Sequence, residues 1–248
     1  ARRTPGMAGA DLANVVNESA LAATRRGASK VEMRDFEEAI DRIQLGLKKQ
    51  GRVMTEPERR RVACHESGHA LVALSVPHAD PVHRVTIIPR SIGALGATLQ
   101  LTTDERYLMT KAELLDRIAV MLGGRVAEEI ALGDVSTGAQ NDLERATELA
   151  RQMITRFGMG EALGLAAYGG QASRYLEGVP DLSPRSYSEE TARAIDTEVR
   201  ALLEAQRERT LGILRGRRGE LDALVERLLE TETLERAELE RIARPAAP

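Results

Sequence analysis

The chain has 248 residues, enough for one large or two smaller domains with a real buried core. Aromatics are only 2% and Trp is absent, so the core must be packed from Ala, Leu, Val, Ile and Met; with Glu and Arg abundant, a mainly helical fold follows. A net charge of -3 gives no basic excess for nucleic acid, one cysteine excludes disulfides and cysteine-based zinc sites, and no run approaches membrane-span length.

The chain opens on Ala1-Arg2-Arg3 without a starting Met and reads as a piece of something longer. Leu12, Val15, Val16 and Leu21 at helical spacing predict a first helix from Ala8 to about Gly27. A second runs from about Met33 to Leu45, with Phe36, Ile40 and Ile43 on one face, and Lys48 to Val53 reads as a polar linker. Thr55 and Glu58 form a capping box that opens a helix to about Val76, stopped by Pro77. Val85 to Ile88 is β-branched and bounded by Pro89, and pairs as a hairpin with Ala97 to Leu101 across the turn at Gly93–Gly96. Thr110 and Glu113 form a second capping box for a helix ending at Gly133. A third long helix spans about Gln140 to Phe157, and Gly169 to Ser186 reads as a loop. Helices from Ser188 to about Leu214, Glu220 to Leu229 and Glu235 to Ile242 complete the chain.

The chemistry concentrates in His65-Glu66-Ser67-Gly68-His69, inside the helix that starts at Thr55. Residues four apart share a helix face, so both imidazoles can aim at one ion. Glu66 falls beside that ion rather than on it, placed to take a proton from a water whose pKa zinc lowers to roughly 7. Val62, Ala63, Cys64, Ala70, Leu71 and Val72 surround the motif, so the histidines belong to a buried helix where unpaired imidazoles are costly. Gly68 costs helix stability, on the order of 1 kcal/mol against Ala, which points to a close neighbour such as another helix. Catalytic zinc needs a third protein ligand. His78 and His83 lie too near and beyond Pro77. Glu128 or Glu129 on a downstream helix can serve, and so can Asp142 in the first turn of the next. Local reasoning leaves them level.

Four stretches carry a resemblance: Thr4–Leu12, His65–His69, Gly123–Glu129 and, most specific, Val135–Leu143 (Val-Ser-Thr-Gly-Ala-Gln-Asn-Asp-Leu). In this order they resemble the C-terminal part of an FtsH-family ATP-dependent zinc metalloprotease, over almost the whole chain. The resemblance implies Asp142 as the third zinc ligand with His65 and His69, Glu66 as the catalytic base, and Glu128 and Glu129 in a supporting shell or in helix packing. It implies residues 1–47 as the end of a helical AAA ATPase lid, 48–54 as linker and 55–248 as a helical peptidase domain with a small β-hairpin or sheet. Gly9, Ala10 and Asp11 would face the nucleotide. A homohexamer acting on unfolded or membrane proteins is implied, held at the cytoplasmic side of a bacterial inner membrane by segments outside this chain, which is expected to be soluble by itself. Zinc is the expected cofactor here. ATP and magnesium belong to the full-length parent, because no Gly-x-x-x-x-Gly-Lys-Ser/Thr phosphate loop occurs in these residues. Ser67 stands where alanine is more usual in the motif, off the metal face.

Other residues carry lesser expectations. Cys64 points about 100° away from His65 and reads as a small buried apolar residue. The runs Arg59–Arg61 and Arg215–Arg218 read as solvated faces or, in a ring, subunit contacts. Thr86 to Ile88 or Thr98 to Leu101 offers an edge strand for an extended substrate, or a plain structural hairpin. Ile195, Val199, Leu202, Leu203, Leu211 and Leu214 need a partner, either the domain's own core or a neighbouring subunit.

Overall fold

The computed structural model describes residues 4, 7–46, 54–89, 96–100, 108–168 and 187–243. The linker expected before Met54, most of the Gly93–Gly96 turn, and the loop at Gly169–Ser186 lie outside them. Helices dominate the rest, with one small three-stranded sheet.

Helices α1 (Gly9–Arg25) and α2 (Met33–Leu45) pack through Val15, Ala39 and Ile40, an apolar cluster separate from the main core. Of the stripe expected on α1 only Val15 is buried; Leu12, Val16 and Leu21 stay exposed. The buried Asp35 carboxylate accepts the Glu32 N–H at 2.8 Å and an Arg26 N–H at 2.8 Å, so one group caps α2 and ties it to the end of α1. Asp41 of α2 pairs with Arg84.

The main core forms around α3 (Glu56–Ala73). Its capping box closes as the sequence predicts: Glu58 accepts the Thr55 N–H at 2.9 Å, and Thr55 accepts the Glu58 N–H at 3.4 Å. The helix ends at Ala73, three residues short of the expected stop; Leu74 still bonds to the Ala70 carbonyl, but Ser75 bonds only three residues back, to Val72. From Val62 onward it is buried almost all round, by α4 (Lys111–Leu132), α7 (Arg218–Thr231) and the sheet. Helix α4 starts on the Thr110–Glu113 box and ends on left-handed Gly133, the limits its sequence predicts.

Gly68 of α3 meets Gly123 of α4 backbone to backbone. A Cβ on Gly68 would fall 2.4 Å from the Gly123 carbonyl oxygen and 2.5 Å from the Ala127 Cβ. The close neighbour expected from the sequence is therefore α4. Gly68→Ala should gain helix propensity of roughly 1 kcal/mol and lose more, about 1–3 kcal/mol, to overpacking. A fall in the urea unfolding midpoint reads this out; a variant more stable than wild type would contradict the crossing.

The sheet has the order β2-β1-β3: β1 (Val82–Thr86) in the middle, β2 (Ala97–Gln100) and β3 (Thr233–Glu235) on its flanks, both antiparallel to it. Val85 pairs with Thr98 on one side and Leu234 on the other. Strand β1 thus begins three residues earlier than expected and ends before Ile87. Being central, it leaves Thr86 no open edge. Only β2 of the hairpin can offer one among the described residues. Strand β3 was not foreseen.

Helices α5 (Gln140–Thr155) and α6 (Glu189–Gly216) pack on α4, and α8 (Arg236–Ile242) closes the chain beside β3. The apolar stripe of α6 finds its partner at home: Ile195, Val199, Leu211 and Leu214 are buried in the main core, with Leu202 and Leu203 packed against it. The arginine runs divide: Arg60 and Arg215 stay exposed, as a solvated face would have them, while Arg59, Arg217 and Arg218 reach into other elements. Arg59 donates to the Leu229 carbonyl at 2.6 Å, Arg60 pairs with Glu226 at 2.9 Å, Arg217 donates to Ser75 Oγ at 2.7 Å and Arg218 to the Ile130 carbonyl at 2.7 Å.

Candidate metal centre

His65, Glu66 and His69 sit on α3, all within three residues of the Gly68–Gly123 crossing. Asp142 comes from the first turn of α5, reached through Gly133 and a 3₁₀ turn at Thr137–Ala139. The His65 and His69 Nε2 atoms lie 3.0 Å apart, and Asp142 Oδ2 is 3.3 Å from each. Among the described residues these three side chains form a group with the geometry to hold a metal, their ligand atoms all within 4.8 Å of one another.

The outer faces of the imidazoles fix their protonation. His65 Nδ1 donates to Glu128 Oε1 at 2.8 Å, and His69 Nδ1 donates to the Val120 carbonyl at 2.7 Å. Both oxygens only accept, so each Nδ1 carries a proton and each neutral ring turns an Nε2 lone pair inward. Two inward lone pairs and a carboxylate oxygen require a positive charge between them. A proton or a divalent cation meets that requirement. Burial lowers the His65 pKa, but its hydrogen bonds to Asp142 and Glu128 outweigh burial and raise it to about 10. Burial also opposes the Asp142 charge, yet contacts with His65 and His69 hold that carboxyl well below the usual range. A divalent ion held there would compete with protons, so its uptake should weaken as pH falls.

Glycine keeps the space open. A Cβ on Gly124 would fall 2.6 Å from Nε2 of both His65 and His69. The donor set and this gap fit a zinc ion with nitrogen and oxygen ligands.

Glu128 is the hub of the supporting shell. Besides His65 it accepts from Arg61 at 2.9 Å and from Ser136 Oγ at 3.1 Å, and Ser136 in turn accepts the Gly138 N–H at 3.2 Å. One buried carboxylate therefore links His65 on α3 to the turn that presents Asp142. Burial works against its charge, but His65, Arg61 and Ser136 outweigh burial and keep it ionised. Glu129 points elsewhere, to Arg207 at 2.6 Å. Cys64 is buried outside the ligand group, and burial pushes its thiol up to about 12. Glu66 is buried, its Oε2 accepting from Thr98 Oγ1 at 2.7 Å. Far from this centre, Asp11 caps the start of α1 by accepting the Ala8 N–H at 2.9 Å, with Gly9 and Ala10 exposed beside it.

The sequence alone missed Val120, Ser136 and Gly124. Val120 acts through its carbonyl, which leaves no side-chain signal. Ser136 and Gly124 lie inside recognisable motifs, but their partners become visible only once α3, α4 and the Asp142 turn converge.

The chain matches the family model described as Peptidase family M41 over residues 52–242 and that of the AAA+ lid domain over residues 1–38. It is 55% identical over 243 residues to "ATP-dependent zinc metalloprotease FtsH 1" of Sorangium cellulosum, covering 98% of this chain and 39% of that protein. Identity to "ATP-dependent zinc metalloprotease FtsH" is 53% in Ralstonia pickettii, over 97% of this chain and 34% of that protein. In Thermotoga maritima it is 49%, over 98% of this chain and 40% of that protein. The chain thus spans 34–40% of the length of these relatives. It belongs to peptidase family M41.

Proposed function

We propose that this M41 chain is the zinc endopeptidase part of a longer ATP-dependent protease, and that it cuts unfolded or misfolded polypeptide. The observation that carries this is the group His65, His69 and Asp142, brought together from α3 and α5, with Glu66 next to His65 on α3. Residues 1–47 would be the end of the AAA lid, 48–54 a linker and 55–248 the peptidase domain. The lid match over residues 1–38 supports the first boundary, and the separate apolar cluster of α1 and α2 agrees with it. Gly9, Ala10 and Asp11 at the start of α1 would face the nucleotide of the parent.

Zinc held by His65, His69 and Asp142 would polarise the scissile carbonyl and bring the pKa of a water down to about 7. Glu66 would take a proton from the attacking water and hand it to the leaving amine. Glu128 and the Val120 carbonyl keep both imidazoles turned inward through their Nδ1–H bonds. Unfolding needs ATP, and these residues contain no phosphate loop, so cutting and unfolding would reside in different parts of the parent. Assembly as a homohexamer and a membrane anchor outside the chain are further parts of this reading. No described helix is long and apolar enough to cross a membrane.

The test pairs a stably folded substrate with an unfolded version of the same sequence, in the absence of ATP. The zinc-loaded chain should degrade the unfolded version and spare the folded one. A chelator should stop cleavage and added zinc restore it. Cleavage that ignores the chelator, or ATP-free degradation of the folded form, would contradict the proposal.

A further inference from the structure

We infer that Thr98, with the side-chain-free Gly96 two residues before it, fixes the Glu66 carboxylate in its working position. This rests on the reading of Glu66 as general base. Glu66 projects from α3 towards β2, and both of its carboxylate oxygens lie close to that strand or the residue leading into it. Thr98 Oγ1 is 2.7 Å from Glu66 Oε2 and 3.2 Å from the Glu66 main-chain oxygen. A hydroxyl has one proton to give, and the shorter, charge-assisted contact to the carboxylate takes it. The Oε2 lone pair on that side is thereby occupied.

Oε1 lies against Gly96. A Cβ there would fall 2.8 Å from Glu66 Oε1, 2.8 Å from Glu66 Cγ and 2.8 Å from Val62 Cγ1. Any side chain at Gly96 would push the carboxylate off its place. With glycine that clash is absent, and Oε1, which the Thr98 hydroxyl does not occupy, is left as the oxygen to take a proton from the attacking water. When it has done so, Oε2 still accepts from Thr98, so the clamp survives the change in charge.

A glutamate has three side-chain torsions, and a general base must stay within about 2.6–3.2 Å of the proton it takes. The helix alone fixes only the root of the side chain. The Thr98 bond fixes its tip. Strand β2 is itself held, with Thr98 paired to Val85 of the central strand. Thr98 is thus a positioning residue that acts through Glu66.

The experiment measures kcat and KM for a short peptide, zinc content and thermal midpoint in zinc-loaded wild type, Thr98→Val, Thr98→Ser and Glu66→Gln. Thr98→Val keeps the shape and loses the donor. Its kcat should fall by about 10- to 100-fold, with KM and zinc content unchanged. Thr98→Ser should recover most of the loss, and Thr98→Val placed on Glu66→Gln should cost nothing further. If Glu66→Gln is inactive while Thr98→Val turns over at the wild-type rate, this inference fails and the base reading stands. It fails as well if the loss follows a lowered midpoint and Ser does not restore it. Full activity in Glu66→Gln would overturn the base reading and the inference together.

Discussion

Glu66→Gln is expected to lower peptide cleavage by about 10²–10⁴-fold while zinc content stays at the wild-type level. Gln has nearly the volume of Glu and can keep its carbonyl oxygen on Thr98, so α3 and its crossing with α4 should not change. The metal ligands are untouched, because Glu66 lies outside the group formed by His65, His69 and Asp142. What is lost is the ability to take a proton. A neutral amide cannot do so at any pH compatible with folding. Steady-state cleavage of a fluorogenic peptide, with metal analysis of the same sample, measures both quantities. A zinc-loaded Glu66→Gln protein of wild-type activity would remove Glu66 from the chemistry.

Asp142→Asn is expected to weaken zinc retention most among the acidic variants, with Glu128→Gln next and Glu129→Gln close to wild type. In the proposed site Asp142 would supply one of the three ligand atoms and the only negative charge among them. Glu128 orients His65 without being a ligand, and removing such a partner typically costs about 10- to 100-fold in metal affinity. Glu129 is tied to Arg207 and has no contact with the imidazoles. Competition against a chelating dye ranks the four proteins. A Glu129→Gln variant that loses zinc while Asp142→Asn keeps it would exchange the assignments.

The parts of the fold that the sequence foretold are those decided within a few residues. The Thr55–Glu58 and Thr110–Glu113 boxes set the starts of α3 and α4 because both partners lie in one helical turn. Gly133 ended α4 for an equally local reason, a backbone angle that other residues resist. Strand β3 has three residues between two helices, and nothing in Thr233-Leu234-Glu235 repeats. It exists because β1 needs a second neighbour, which is a tertiary fact. Three arginines of the two runs escaped the solvated-face reading for a similar reason. A guanidinium reaches several residues from its own backbone, and Arg59, Arg217 and Arg218 end on carbonyl or hydroxyl groups of other elements.

The site divides along the same line. His65 and His69 are legible because four-residue spacing is a property of one helix. Glu128, Glu129 and Asp142 lie on other elements, and only the packing of α3 against α4 and α5 separates a ligand from its supporter. Resemblance chose Asp142 where local reasoning stopped, and the Asp142 oxygen at 3.3 Å from both imidazoles agrees with that choice. The clamp on Glu66 had no sequence signal. Thr98 is an ordinary strand threonine until β2 is laid against α3.

The most direct test of the zinc centre is a crystal structure of the zinc-loaded chain with an anomalous difference map at the zinc edge. One peak per chain is predicted, about 2.0–2.2 Å from Nε2 of His65, Nε2 of His69 and an Asp142 carboxylate oxygen, with Glu66 close by but unligated. A peak bonded to Glu128 or Glu129 in place of Asp142, or no peak between the two histidines, would contradict the account.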